Sequence, residues 1–217
     1  HSVDGKPIVC WTQGSGADTI LIIASIHGDE PAGTPLVRRL ADHLAGQPDL
    51  LAGRLVVIVP VANPDGYAKR IRHNSRGVDL NRNYPASNYA NGNAHGAAPL
   101  SEPESVALNK LLTERRPSCI LSFHQPLRAG QACIDYDGPG KSLADAMSAQ
   151  CDLPVQRIGS RPGSLGSYAG ITMKVPIITI ELPKEATDWS PAELWNRYGR
   201  MLLAAIRYPQ SLSKSVD

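Results

Sequence analysis

The stretch Thr19-Ile-Leu-Ile-Ile-Ala24-Ser-Ile-His27-Gly-Asp-Glu30-Pro31 decides the fold. The run Thr19 to Ala24 is continuously apolar, without the alternation of a half-solvated strand, so it reads as a strand covered on both faces, as in a parallel sheet. Pro31 suits the first turn of a helix. From there to Ala45 the residues Leu36, Val37, Leu40, Ala41 and Leu44 recur at helical spacing, and Gly46 can end the helix. Open α/β sheets hold their ligands at the carboxyl ends of strands, and His27 and Glu30 fall on that turn. An imidazole and a carboxylate so spaced can converge on one ion.

Outward from this unit, Ile8 to Trp11 reads as a short strand before a Gly14-Ser15-Gly16 turn. Arg54 to Val61 is a second buried strand running into Asn63-Pro64-Asp65-Gly66, a turn by composition. Tyr67 to Pro99 has little periodicity and much Asn, Gly and Arg, which in a compact domain marks a functional surface. Ser101, followed by Glu104, has the capping-box pattern for a helix from Glu102 to Glu114. Strands are predicted at Ser118–Phe123, Ala132–Tyr136 and Val175–Leu182, and a helix at Gly140–Gln150 with Leu143, Ala144 and Met147 on one face. Ser190-Pro191 opens the last helix, whose inward stripe is Leu194, Tyr198, Met201, Leu202 and Ala205; the polar tail from Pro209 reads as loose. The alternation predicts the α/β class: one domain over residues 1–217, an α/β/α sandwich with a mixed, mostly parallel central sheet.

Composition removes several functions. No apolar run reaches the roughly 18–20 residues of a membrane span, and the first residues lack a signal-peptide pattern, which predicts a cytoplasmic chain without membrane association. A net charge of +2 gives no reason to expect nucleic acid. Cys10, Cys119, Cys133 and Cys151 form no close pair and are expected as free thiols, a Cys133–Cys151 bond being the one that separation would permit. His1 has no assigned role.

Four polar groups stand at strand ends: His27 and Glu30 after one, His124 after another, Glu181 at the close of a third. A lone histidine in such a place is more often a hydrogen-bonded core residue. Glu181, within Ile-Thr-Ile-Glu-Leu-Pro, is harder to dismiss, because a buried carboxylate without a partner is costly. Together the four point to a single zinc centre with His27, Glu30 and His124 as ligands, a fourth position for water, and Glu181 beside it to move the proton. The segment Lys69 to Asn83 sets Lys69, Arg70, Arg72, Arg76 and Arg82 against Asp79 alone, with Asn74, Asn81 and Asn83 interleaved. As a bland reading it is a solvated basic face. If it faces the metal, arginine forks and asparagine amides imply a small anionic substrate.

The set His27-Gly-Asp-Glu30, Asn63-Pro-Asp-Gly66, Arg72-His-Asn74, Gly77-Val-Asp-Leu-Asn-Arg-Asn83, Ser122-Phe-His124 and Ile180-Glu-Leu182 resembles the zinc carboxypeptidase family. The motifs cover about residues 20 to 185, in the family's order. The resemblance implies His27, Glu30 and His124 as ligands of one Zn2+ and Glu181 as general base and acid. It implies Arg72 as the oxyanion donor and Asn81 with Arg82 as the grip on a substrate carboxylate. Asp79 would orient the first ligand histidine.

The family peptidases that trim ordinary C-terminal residues carry a tyrosine just before a Gly-Ser segment. Here Ile158-Gly-Ser-Arg-Pro-Gly163-Ser164 has none. Arg161 is the expected substitute for part of that contact, and Tyr168 matches a different aromatic position. The Gly-Val-Asp-Leu-Asn-Arg-Asn-Tyr-Pro phrase and Pro162-Gly-Ser-Leu-Gly-Ser167 resemble the bacterial murein peptide amidase subgroup most. That implies hydrolysis of the γ-D-glutamyl–meso-diaminopimelate amide of a murein tripeptide during cytoplasmic recycling. The alternatives are a general metallocarboxypeptidase, an N-acyl-amino-acid deacylase, or a non-catalytic peptide-binding module.

Overall fold

Ile20 to Ile23 are fully buried, and their side chains alternate between two separate cores. Ile20 and Ile22 join the first, while Leu21 and Ile23 join the second, so this strand must be covered on both faces. In the computed structural model, which describes residues 1–126 and 131–208, it is the strand β2 (Asp18–Ile23). It lies inside a six-stranded sheet with β1 (Trp11–Gly14), β3 (Arg54–Val59), β4 (Cys119–His124), β5 (Cys133–Asp137) and β6 (Ile177–Glu181).

The sheet order is β1-β3-β2-β4-β6-β5. The four central strands run parallel, and β1 and β5 pair antiparallel at the two edges. The helices α1 (Gly33–Ala45), α4 (Lys141–Ser148) and α5 (Pro191–Arg207) cover one face through Leu36, Leu40, Leu143, Met147, Leu194 and Tyr198. Leu108 and Leu112 of α3 (Pro103–Arg115), with Leu80, Tyr84, Leu165 and Ala169, cover the other. This is the expected α/β/α sandwich with a mixed, mostly parallel sheet. Chain order reverses between β2 and β4: β2 leads outward to β3, whereas β4 leads the other way to β6 and β5. A crevice opens at such a switch point.

Several local expectations shift. The first strand is Trp11–Gly14 rather than Ile8–Trp11, because pairing with β3 in the register Trp11↔Ile58 to Gly14↔Leu55 defines it, while Ile8 packs on the α3 face. Asn63-Pro-Asp-Gly66 is no simple turn. Asn63 caps the short helix α2 (Pro64–Lys69), its side chain accepting from Gly66 N at 2.9 Å. The capping box at Ser101 does not form: Glu102 is the N-cap and lacks a side-chain cap bond, and buried Glu104 instead accepts from Val3 N and Asn74 Nδ2. A capping box does form at Ser190 and Glu193. The four cysteines are free thiols. The expectation for the tail from Pro209 lies outside the described residues. Among the described residues, no helix is long and apolar enough to cross a membrane.

Two glycines permit close approaches beside the site. A Cβ on Gly33, at the start of α1, would lie 2.5 Å from Phe123 Cβ, so the helix docks against β4 only because this residue has no side chain. On Gly28 it would lie 2.0 Å from the backbone carbon of Gly66, and Gly28 N donates to Arg72 O at 3.3 Å. The turn bearing His27 is thereby seated on α2. Gly28→Ala is expected to cost about 1–3 kcal/mol of stability through this backbone clash and to weaken zinc binding. Urea denaturation with a zinc titration measures both; an unchanged midpoint and affinity would refute the seating.

Candidate metal centre

As β2 ends, Ser25 takes a left-handed backbone conformation (φ 49°). A non-glycine residue held there stores strain, here countered by hydrogen bonds from its surroundings. Ser25 Oγ lies 2.8 Å from Thr34 Oγ1, which donates to Pro60 O at 2.6 Å, and Asn63 N donates to Ser25 O. The kink turns His27 and Glu30 into the crevice between β2 and β4. His124 is the last residue of β4 and stands level with Glu181 of β6 in the parallel register, fixed by a Leu182 N to His124 O bond of 2.9 Å.

The ligand atoms of His27, Glu30 and His124 all lie within 4.8 Å of one another, and the three side chains are buried. The two Glu30 oxygens are shared out, Oε1 at 2.9 Å from His27 Nδ1 and Oε2 at 2.9 Å from His124 Nδ1. The outer ring nitrogens are engaged elsewhere: His27 Nε2 on Asp79 Oδ1 and His124 Nε2 on Ser122 Oγ, each at 3.1 Å. Once both imidazoles are neutral, donation from Nε2 leaves Nδ1 of each as the lone-pair donor, the state a metal requires. The donor set fits one divalent ion of the zinc type, and an open fourth position is the usual arrangement of a catalytic zinc site.

Arg72 braces this group from the side. Its Nε donates to Asp79 Oδ2 and its Nη1 to Glu30 Oε1, each at 3.0 Å. Burial alone would raise the Glu30 and Asp79 pKa values. The histidines outweigh it at Glu30, and His27 with Arg72 does so at Asp79, so both carboxyls are held well below the usual range. Burial disfavours the His27 imidazolium, yet Glu30 and Asp79 prevail and lift its pKa to about 9.

Glu30, His27, His124 and Glu181 open onto one cavity of about 280 Å3, lined also by Arg72, Asn81, Arg82 and Arg161. Glu181 Oε2 is buried without a hydrogen-bond partner. Burial raises its pKa; His124 opposes the rise and Glu30 adds to it. Asn81 and Arg82 come from the aperiodic segment after α2, in a single 3-10 turn, Leu80–Arg82, opened by Asp79, whose Oδ1 accepts from Asn81 N at 2.9 Å. Asn81 Oδ1 accepts from Leu165 N at 2.8 Å, tying that turn to the Ile158–Gly166 segment. Arg161 is exposed at the rim. Tyr168 stands apart from the lining, its ring stacked on that of Tyr84 at 6.0 Å.

Three contributors were not singled out from sequence. Asp135 and Asp137 of β5 are buried and line the same cavity. Gly159 N donates to Asp135 Oδ2 at 3.1 Å, and Arg157 reaches both carboxylates at 3.4 and 3.5 Å. Two aspartates at alternate positions of a strand are a legible sign of one polar face. Gln125 has no sign beyond following His124.

A buried His-Glu-His triad at the strand ends of an α/β/α sandwich, with an adjacent free carboxylate, defines a mononuclear metallohydrolase site. Comparison with known proteins narrows this. The zinc carboxypeptidase family model matches residues 2–134, and the chain belongs to that family as a zinc-dependent metallopeptidase. It is 33% identical over 208 residues to murein peptide amidase A of Escherichia coli strain K12, covering 87% of this chain and 81% of that protein. The crystal structure of murein-tripeptide amidase from Escherichia coli O157 superposes with a TM-score of 0.74 at 29% identity, covering 97% of this chain and 91% of that one. Carboxypeptidase A from Helicoverpa armigera shares the fold at a TM-score of 0.72 and 18% identity, over 97% of this chain and 68% of that one.

With its pKa near 9, His27 carries a proton at neutral pH in the metal-free protein and must lose it on ligation. Zinc uptake at pH 7 is therefore expected to release about one proton, and affinity should rise about tenfold per pH unit until His27 titrates. The raised pKa also stabilises the metal-free fold below the unfolded-state value of 6.5, a contribution lost as pH climbs through about 9. Calorimetric titration in buffers of different ionisation enthalpy measures the proton count; pH-independent binding without proton release would contradict the assignment.

Proposed function

We propose that this protein hydrolyses the amide between γ-D-glutamate and meso-diaminopimelate in small murein peptides. The observation that carries the reading is the cavity of the zinc triad, whose lining bears both signs of charge: Arg72, Arg82 and Arg161 together with Asp135 and Asp137. A departing diaminopimelate carries an α-carboxylate beside the scissile amide and a second amino-acid head, with ammonium and carboxylate, at the end of its side chain. Such a residue needs both signs of charge in its pocket. The likeness to murein peptide amidases over most of both chains supports the same substrate. A cytoplasmic setting, where such peptides are recycled, belongs to this reading.

Zinc bound at the triad would supply electrophilic polarisation of the carbonyl and acidify water. Glu181 takes the proton from the attacking water and returns it to the leaving amine. Its raised pKa and partnerless Oε2 suit a group that both accepts and gives up a proton. Arg72 spends Nε and Nη1 on Asp79 and Glu30, which aims the guanidinium and leaves Nη2 to donate to the developing oxyanion. Asn81 and Arg82 hold the α-carboxylate of the departing residue, and Arg161 contributes positive charge from the rim. Asp79 keeps His27 oriented. Tyr168 acts from behind the wall, its stacking on Tyr84 supporting the segment that carries Ser164 and Leu165.

Mass spectrometry of L-alanyl-γ-D-glutamyl-meso-diaminopimelate incubated with the zinc-loaded protein should show free diaminopimelate, abolished by chelation. Parallel incubations with C-terminal L-peptides and N-acyl amino acids test the competing hydrolases; preference for either would overturn the murein assignment. Glu181→Gln should retain zinc and lose roughly 10²- to 10⁴-fold in turnover. Near-full activity of that variant would remove Glu181 from its role.

A further inference from the structure

Gln125 is buried directly after His124, and its main-chain N–H and both ends of its side-chain amide are engaged. Its main-chain N–H donates to Glu30 Oε2 at 3.2 Å. Side-chain Oε1 accepts from Ala32 N at 3.0 Å, two residues past the ligand Glu30. Side-chain Nε2 faces Pro183 O, Lys184 O and Thr187 Oγ1 at 3.2, 3.1 and 3.0 Å. The Ala32 amide requires an oxygen and the Pro183 and Lys184 carbonyls require a donor, so the two ends of the network fix the amide's orientation together.

The partners lie on separate pieces of chain. β6 ends at Glu181, and the last backbone bond tying this strand end to β4 is Leu182 N to His124 O. Beyond it, the 3-10 turn Lys184–Asp188 holds to the metal-ligand segment through the Gln125 amide. One side chain, on the residue after the third ligand, thus joins the segment of the second ligand to the turn that follows the base. Glu181 itself has an oxygen without a partner, so nothing on its own side chain fixes that atom's distance from the triad.

We propose that Gln125 is a positioning residue for the hydrolytic reaction: by bridging Ala32 to the 183–187 turn it sets the distance between the Glu181 carboxylate and the metal triad. The inference rests on the hydrolytic reading above. Only a neutral amide serves here. Glutamate would keep the acceptor for Ala32 but turn a second oxygen toward two carbonyls.

The test compares zinc-loaded wild type with Gln125→Met, which keeps the volume and loses the hydrogen bonds, and with Gln125→Glu. Gln125→Met is expected to bind one zinc and keep KM within about twofold, while kcat falls about tenfold or more, since misplacing a reacting group by about 1 Å can cost 10²-fold. A phosphinic peptide analogue of the tetrahedral state should bind more weakly by the same factor as kcat/KM falls, which a loss of fold stability alone would not produce. Gln125→Glu should be slower than Gln125→Met. Amide hydrogen exchange at Ala186 and Trp189 should accelerate in both variants. A folded, zinc-saturated Gln125→Met with kcat within about twofold of wild type overturns the proposal, as does full recovery by excess zinc. Should Gln125→Met not fold, Thr187→Val removes a single partner; a two- to threefold fall in kcat supports the bridge and an unchanged kcat overturns it. Wild type inert toward every peptide would end the hydrolytic reading, and the exchange comparison would still decide whether Gln125 holds the turn.

Discussion

The Glu30 carboxylate is the contact on which the rest of the site depends. It is buried, and a buried anion is tolerated only if opposite charge and hydrogen-bond donors surround it. Nδ1 of His27 and of His124 lies against it, and Arg72 Nη1 and the main-chain N–H of Gln125 donate to it. These arrive from the β2 turn, the end of β4 and the segment after α2. Satisfying one carboxylate therefore assembles the metal ligands and the arginine brace at once, and Arg72 extends the network to Asp79, which holds the first histidine. Removing any donor leaves the others around an under-compensated charge.

The triad and the central strands were legible because they announce themselves locally. An apolar run too continuous for a one-sided strand ends at His27 and Glu30, and only the repetition of such strand-end groups at His124 and Glu181 turns that pair into a site. Glu181 stood out for the same reason, as a charge at the end of a buried strand. What stayed hidden depends on pairing across the chain. The first strand lies three residues later than its own apolar run implies, since the partner strand β3 defines it. Glu104 has the spacing of a helix cap but is drawn inward to Asn74 and the main chain of Val3. Gln125 carries no periodicity or charge, and its importance emerges only when Ala32 and the 183–187 turn are brought to it.

The cavity also explains why the aperiodic segments of the chain are ordered. Asn81 binds Leu165, Tyr84 N donates to Gly163 O, and Tyr84 stacks on Tyr168, so the arginine-bearing segment and the segment lacking the family tyrosine form one wall. Their apolar residues Leu80, Tyr84 and Leu165 belong to the second core. Burial of those side chains, not hydrogen-bonded regularity, holds the arginines in place, which is how a long loop can present charge at fixed positions.

The sheet order has a consequence for how the molecule is made. β5 is synthesised before β6, yet its neighbour in the sheet is β6, so it has no sheet strand to join until β6 has been made. Zinc donors likewise emerge far apart in time: His27 and Glu30 come first and His124 follows after almost a hundred residues, while the base Glu181 comes later still. Until His124 is made, a nascent chain on the ribosome offers an ion two ligands and no base. A translation product truncated before His124 lacks a metal ligand, and one truncated between His124 and Glu181 has the three ligands without the base.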